Sequence, residues 1–238
     1  METMRTSVIV FPGSNCDRDV MHAISASTGT MTDLVWHEHR TLPRDTGLVI
    51  LPGGFSYGDY LRCGAMAAKS PIIDAVIKHA SSGLPVLGIC NGFQVLTEIG
   101  LLPGALLANT SLDFICDFCH VRVEREDTPF TGHYRKGEVL RIPIAHYEGR
   151  FYLPEEQLRT LEEEGLVVFR YCSPEGVTGE DFTPNGSPNG IAGIINRKGN
   201  VLGMMPHPER ATESLLGSLD GAPLWGSVNS WIRGRLGE

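Results

Sequence analysis

The stretch Gly88-Ile89-Cys90-Asn91-Gly92 sets a cysteine between two glycines, after the apolar run Pro85–Ile89 and before a helical pattern, Phe93–Ile99, that Gly100 ends. This G-x-C-x-G layout is that of a nucleophile elbow with a thiol in place of the hydroxyl. Side chains at the flanking positions would collide in so tight a turn. A helix N-terminus favours the thiolate through its dipole and free amides. A thiol nucleophile needs a base, and the base needs an orienting partner. Of eight histidines, His207 stands in an unusual frame, Pro206-His207-Pro208-Glu209, after the apolar run Val201–Met205. Two prolines fix its backbone. In extended backbone, residues two apart leave the same face, so Glu209 can accept from one imidazole nitrogen while the other faces Cys90. Acyl transfer also needs oxyanion donors, and two are available: the amide of Asn91 and the backbone of Gly53-Gly54, where no Cβ blocks a ligand. Each feature alone has a plainer reading: a buried thiol between packing glycines, a solvated His–Glu turn, a glycine-rich turn. Their coexistence in one chain favours chemistry.

These residues need a frame. Apolar, β-branched runs at Ser7–Phe11, Leu34–Trp36, Leu48–Leu51 and Pro85–Ile89 suit strands buried on both faces, as in a parallel sheet. Helical patterns separate several of them. Cys16–Ser27 follows the candidate caps Ser14 and Asn15. A stripe of Ile72, Ile73, Val76, Ile77 and Ala80 follows a Ser70 cap and a first-turn Pro71, and stops near Gly83. The alternation predicts an α/β fold: a doubly wound, mostly parallel sheet flanked by helices. Loops at the carboxyl ends of such strands line the binding crevice, and Gly53-Gly54 and Cys90 both fall there. In the second half, Phe114–Arg125 and Val139–Ile144 read as strands. Pro154–Gly165 reads as a helix, and residues 190–205 as two strands joined at Arg197–Asn200. Leu224–Leu236 carries Trp225, Val228, Trp231 and Ile232 at helical spacing, as core contacts. No repeat or linker interrupts the chain, so one domain spanning residues 1–238 is expected.

The resemblance these residues carry is specific. Cys90 in G-x-C-x-G with His207 and Glu209 in P-H-P-E resembles the triad class I glutamine amidotransferases. The stretches "LPGGFSYGDYLRCGA", "NGFQVLTEIGLLPGALLANTS", "IPIAHYEGRF", "PNGSPNGIAGI" and "MMPHPERA" are similar to the glutaminase subunits of phosphoribosylformylglycinamidine synthases, from about Val8 to the last helix. The resemblance implies that Cys90 attacks the side-chain amide of glutamine, that His207 protonates the departing ammonia and later serves as base, and that Glu209 orients His207. It implies backbone oxyanion donors at Gly54 and Asn91, and a contact from Gln94 to the substrate glutamine. His146 and Glu148 fall in a family motif, but the resemblance assigns them no role; Tyr147 between them departs from the smaller residue expected there. The implied partners are a larger ATP-dependent synthetase subunit and a small accessory subunit, with ammonia passing between the sites. ATP and magnesium belong to that partner, and no cofactor is expected in this chain. The absence of G-x-x-x-x-G-K-[ST] and G-x-G-x-x-G agrees with this division of labour.

Composition excludes several other classes. A net charge of −8 with no basic run argues against nucleic acid, whose phosphates need clustered Lys and Arg. The apolar runs are too short to span a membrane. No secretory signal is apparent at the start, so a cytoplasmic location with reduced thiols is expected. Cys116-Asp117-Phe118-Cys119-His120 spells the haem-attachment pattern, but a strand would send its two cysteines to opposite faces, and no second ligand pair for zinc is visible. Cys16, Cys63 and Cys172 lack a nearby base motif and read as inert. Asp17, Asp19, His37 and His39 read as surface groups. Two competing readings stand beside the first: another cysteine hydrolase, or amidotransferase serving a different acceptor, of the same fold, and a binding subunit with a decayed site. The spacing of His207 and Glu209 after a late strand disfavours the former, and the intact trio disfavours the latter.

Overall fold

The computed structural model describes residues 5–60 and 62–236. Its first half alternates strand and helix: β1 (Arg5–Val10), α1 (Asp17–Thr28), β2 (Thr32–Trp36), β3 (Thr46–Leu51), α2 (Ile73–Ser81), β4 (Val86–Ile89) and α3 (Asn91–Glu98). The second half contributes β5 (Ala105–Leu107), β6 (Ile115–Val123), β7 (Val139–His146), β8 (Arg150–Tyr152), α4 (Glu155–Glu163), β9 (Val167–Cys172), β10 (Ile191–Ile195), β11 (Val201–Met204) and α5 (Ala222–Leu236). Nine strands form one sheet in the order β2-β1-β3-β4-β11-β10-β9-β6-β7, and β5 pairs with β8 apart from it. The run from β2 to β11 is parallel throughout. From β11 through β10, β9 and β6 to β7 every pairing is antiparallel. The architecture is α/β, as the alternation predicts, with α1, α2 and α3 packed on its parallel half.

The chain runs from β1 to β2 on one side and to β3 on the other, so a topological switch lies between β1 and β3. Because β1, β3, β4 and β11 point the same way, the loops that follow them all emerge at one edge. Those loops are 11–16, 52–60, Cys90 and 205–210; with Asn91, the first residue of α3, they contain every residue with elbow, base or oxyanion character.

Burial explains the elements. β3 and β4 are buried along their whole length, as strands covered on both faces must be. On α2, Ile73, Val76 and Ala80 are buried in one stripe. This helix begins later than the Ser70-Pro71 signal suggests, because the Ser70 hydroxyl is shared with Tyr57 Oη at 3.2 Å instead of capping the first turn. Likewise Cys16, not Ser14 or Asn15, takes the cap position of α1 and makes no side-chain cap bond there. The expected hairpin over 190–205 is present as β10 and β11. Strands β5, β8 and β9 carry no clear period in the sequence and emerge only from tertiary pairing. On β6, Cys116 is exposed while buried Cys119 donates to the Ile142 carbonyl at 3.2 Å, so the two thiols occupy opposite faces as expected. His37 is buried, not a surface group; its Nδ1 bonds Tyr57 Oη at 2.9 Å. Among the described residues no helix is long and apolar enough to cross a membrane.

Helix α3 reaches its place because β11 has no side chain at Gly203, where a methyl would lie 2.2 Å from Phe93 Cδ2. Gly203→Ala is therefore expected to lower stability by about 1–3 kcal/mol, the range for overpacked cores. Calorimetry should show a drop in Tm of roughly 2–4 °C per kcal/mol for a chain of this size. An unchanged Tm would mean that α3 is not held by this contact.

Candidate active site

Cys90 joins β4 to α3 with φ 49 and ψ −105, a conformation that residues with a Cβ rarely adopt. Neighbouring backbone over-determines it. The Cys90 amide donates to the Met204 carbonyl at 2.8 Å, and the Cys90 carbonyl accepts from Phe93 and Gln94 at 3.0 and 3.2 Å. A Cβ at Gly92 would lie 1.9 Å from the Leu51 carbonyl oxygen, and one at Gly88 would lie 2.7 Å from the Gly92 backbone. Only glycine fits either place, so the elbow needs both. The Cys90 thiol is 4% exposed and turns toward the Ala145 carbonyl at 3.6 Å.

His207 follows β11, the strand paired beside β4, so β-pairing alone brings His207 and Cys90 to the same edge. Its amide donates to the Pro143 carbonyl at 2.8 Å, which fixes the backbone. Its Nδ1 bonds Glu209 Oε1 at 2.6 Å, with both side chains buried. The route to that pair differs from the extended geometry expected. Pro208–Arg210 form one turn of 3-10 helix, and the carboxylate curls back onto the ring. His207 Nε2 is buried without a hydrogen-bond partner, so the lone ring nitrogen left free is the one not held by Glu209. Burial alone would depress the imidazole's proton affinity. The Glu209 carboxylate, helped by Cys90 and Cys16, outweighs it and raises His207 well above the ordinary histidine range.

The loop after β3 supplies the opposite wall. Gly54 holds φ 136 against Asn15, where a Cβ would lie 2.7 Å from the Asn15 nitrogen. The loop is tied to the elbow by the Ser56 amide, which donates to Asn91 Oδ1 at 3.2 Å. The amides of Gly54 and Asn91 donate to no acceptor among the described residues. Gln94 lies one turn into α3; its Nε2 donates to the Glu148 carbonyl at 2.7 Å, and its Oε1 accepts from Asn91 Nδ2 at 2.8 Å. The structure thus brings Cys90, His207, Glu209, Gly54, Asn91 and Gln94 together at one edge.

His146 and Glu148 lie beside these residues. Burial, and then the neighbouring His207, push His146 down to about 4, so it is a neutral imidazole with Nδ1 bonded to Asn109 Oδ1 at 3.2 Å. Glu148 Oε2 accepts from the Cys63 amide at 3.3 Å. Tyr147 is half-exposed and its carbonyl accepts from Asn109 at 2.8 Å, so the larger side chain faces outward without disturbing the motif.

One neighbour escapes the sequence reading. Cys16 is not remote from a base: its sulfur and ligand atoms of His207 and Glu209 all lie within 4.8 Å of one another. Arg210 Nη2 donates to Cys16 Sγ at 3.1 Å, and Arg210 Nε reaches Asp19 Oδ2 at 3.1 Å, so Asp19 is part of this surround as well. The signal was topological: Cys16 ends the loop after β1, at the same carboxyl edge as the rest.

The comparisons with known proteins agree with this geometry. The sequence profile of the CobB/CobQ-like glutamine amidotransferase domain matches residues 3–233. The phosphoribosylformylglycinamidine synthase subunit PurQ of Bradyrhizobium diazoefficiens is 53% identical over 225 residues, which are 94% of this chain and 97% of that protein. The PurQ subunit of Thermus thermophilus is 57% identical over 222 residues, 93% of this chain and 96% of its own length. A chain in the structure of PurLQS from Thermotoga maritima superposes with a TM-score of 0.85 at 45% identity, covering 97% of this chain and 99% of that one. The glutaminase domain of Trypanosoma brucei CTPS, at 14% identity and a TM-score of 0.61 over 98% of this chain and 94% of that one, shares the fold. With the profile spanning nearly the whole chain and more than half the residues identical to these subunits, the chain belongs to the CobB/CobQ-like glutamine amidotransferase family, in its PurQ branch.

Proposed function

We propose that this chain is the glutaminase subunit of a phosphoribosylformylglycinamidine synthase, converting glutamine and water to glutamate and ammonia. The ammonia goes to an ATP-dependent synthetase subunit that makes formylglycinamidine ribonucleotide from formylglycinamide ribonucleotide in de novo purine synthesis. The observation that supports the chemistry is the buried His207–Glu209 pair, 2.6 Å apart, beside a cysteine held on a strained elbow. The reaction follows from that arrangement. The Cys90 thiol passes its proton to His207 Nε2 as its sulfur adds to the side-chain amide carbon of glutamine, and the oxyanion accepts from the free amides of Gly54 and Asn91. His207, protonated on Nε2 and oriented through Nδ1 by Glu209, gives its proton to the departing nitrogen. Ammonia leaves and a γ-glutamyl thioester remains. His207 then takes a proton from the water that attacks the thioester and returns it to the sulfur as glutamate departs. Gln94, whose amide is anchored at both ends, presents a rigid polar group to the substrate.

We read the chain as one domain, cytoplasmic, without a cofactor of its own; ATP and magnesium serve the partner. The occurrence of a 45% identical chain in PurLQS supports a larger synthetase subunit and a small accessory subunit as those partners. Cys90→Ala is expected to abolish glutamine-dependent synthesis by the assembled complex and to leave synthesis from added ammonia intact. Glutamine-dependent turnover surviving in this variant would remove Cys90 from its role. Glu209→Gln tests the orienting carboxylate. Without that charge, burial dominates and the imidazolium loses its proton at lower pH. The alkaline limb of kcat/KM should therefore move down in pH, and kcat should fall by about 10²–10⁴-fold. An alkaline limb that stays put would assign it to another group.

A further inference from the structure

The mechanism above leaves the Cys16 thiol unused, although it sits against the pair that carries the proton chemistry. Sulfur, imidazole nitrogen and carboxylate are the three donor types that borderline divalent cations take, usually in tetrahedral arrays. Here one of each is buried, with all three ligand atoms within 4.8 Å of one another. Around a bound zinc ion such donors stand about 3–4 Å apart, so a modest contraction suffices.

Three further observations point the same way. Glu209 Oε2 is buried without a hydrogen-bond partner, in a residue only 1% exposed. It is an acceptor that the His207 contact does not use. Arg210 places a charged N–H on Cys16 Sγ at 3.1 Å and is itself held by Asp19. Such hydrogen bonds to a ligand's sulfur, fixed from outside, are characteristic of the surround of metal thiolates. Finally, a cavity of about 460 Å³ opens behind Glu209, lined in part by Asp19, His22, Arg210 and Glu213. Glu209 itself lines this cavity with two further carboxylates, Asp19 paired to Arg210 and Glu213 paired to His22, and none of the glycine loop after β3 does, so the cavity reaches Glu209 from another side.

We propose that Cys16, His207 and Glu209 form an inhibitory site for a thiophilic divalent cation of the zinc class, entered through this cavity. On binding, the proton leaves Cys16 Sγ for solvent and the thiolate takes the ion. His207 Nδ1 gives up its contact with Glu209 Oε1 and coordinates through its lone pair, any proton on Nδ1 going to solvent. Glu209 turns its carboxylate onto the ion. The imidazole keeps its proton on Nε2 and can no longer accept one from Cys90 or from the deacylating water. Glutamine hydrolysis stops, and a chelator that withdraws the ion restores it. The site itself stands on the geometry; only this consequence rests on the glutaminase reading.

The test uses Zn²⁺ at concentrations set by a chelator, with binding read by competition against a chromophoric chelator. The wild-type chain, Cys90→Ala, Cys16→Ala and Cys16→Ser are compared; the serine variant keeps a hydrogen-bonding group in the same space should the alanine variant fail to fold. Wild type and Cys90→Ala should each bind one equivalent with similar affinity, and both Cys16 variants should bind at least tenfold more weakly. In the assembled complex, the Zn²⁺ concentration that halves glutamine hydrolysis should rise at least tenfold in Cys16→Ser, measured against its own metal-free rate. Equal binding by wild type and the Cys16 variants would overturn the proposal, as would loss of binding in Cys90→Ala, which would put the ion on the Cys90–His207 dyad. Because binding is read without turnover, zinc held at Cys16 by a chain that hydrolyses no glutamine would sink the glutaminase reading and leave the site standing.

Discussion

The contact between Gly92 and the Leu51 carbonyl is the constraint on which the rest depends. Helix α3 abuts the end of β3 so closely that no Cβ fits between them. That approach forces the chain from β4 to α3 through a single residue, and the single residue is Cys90, left at positive φ. Strain of this kind costs on the order of 1–3 kcal/mol and survives only where the surroundings insist on it. Here they do: β4 is pinned between β3 and β11, and the Cys90 amide is taken by Met204 on the neighbouring strand. The sulfur is therefore presented by the fold as a whole rather than by a flexible loop.

The same economy places the base. Parallel pairing of β4 with β11 in register makes Met204 the partner of Ile89, so the residues that follow each strand begin side by side. Between proline neighbours, His207 has little freedom to leave that position. Its unpaired Nε2 and the raised proton affinity supplied by Glu209 then belong to one ring, which is what the proposed acid and base roles require. The third wall, the loop after β3, is locked to the elbow through Asn91, so a shift in one is felt by the other.

Much of this was legible in the sequence, and the reason is local. The elbow is marked by two glycines that sterics demand, His207 by two prolines, and the strands of the parallel half by unbroken apolar runs. The pairing of His207 with Glu209 was readable from their spacing, although the backbone between them is a turn of 3-10 helix and not extended. What stayed hidden depends on contacts across the sequence. Cys16 reads as an inert thiol until β1 is placed beside β3. His37 reads as a surface group until Tyr57 covers it. Strand β9, with Arg170 inside an apolar segment, reads as nothing in particular until β6 and β10 flank it.

The antiparallel half of the sheet has a consequence of its own. Strand β7 is last in the order, with one side unpaired in the ladder, yet the Pro143 carbonyl accepts from His207 and the Ala145 carbonyl from Cys90. The sheet curls until its last strand meets the loops of its first half. An open strand edge is a template on which other chains add, and proline and covering loops are the usual defences. In this protein the elbow and the 205–210 loop are part of that cover. His207 and Cys90 thus occupy two of the carbonyls that the last strand leaves outside the ladder, and a change that loosens the 205–210 loop uncovers the Pro143 carbonyl.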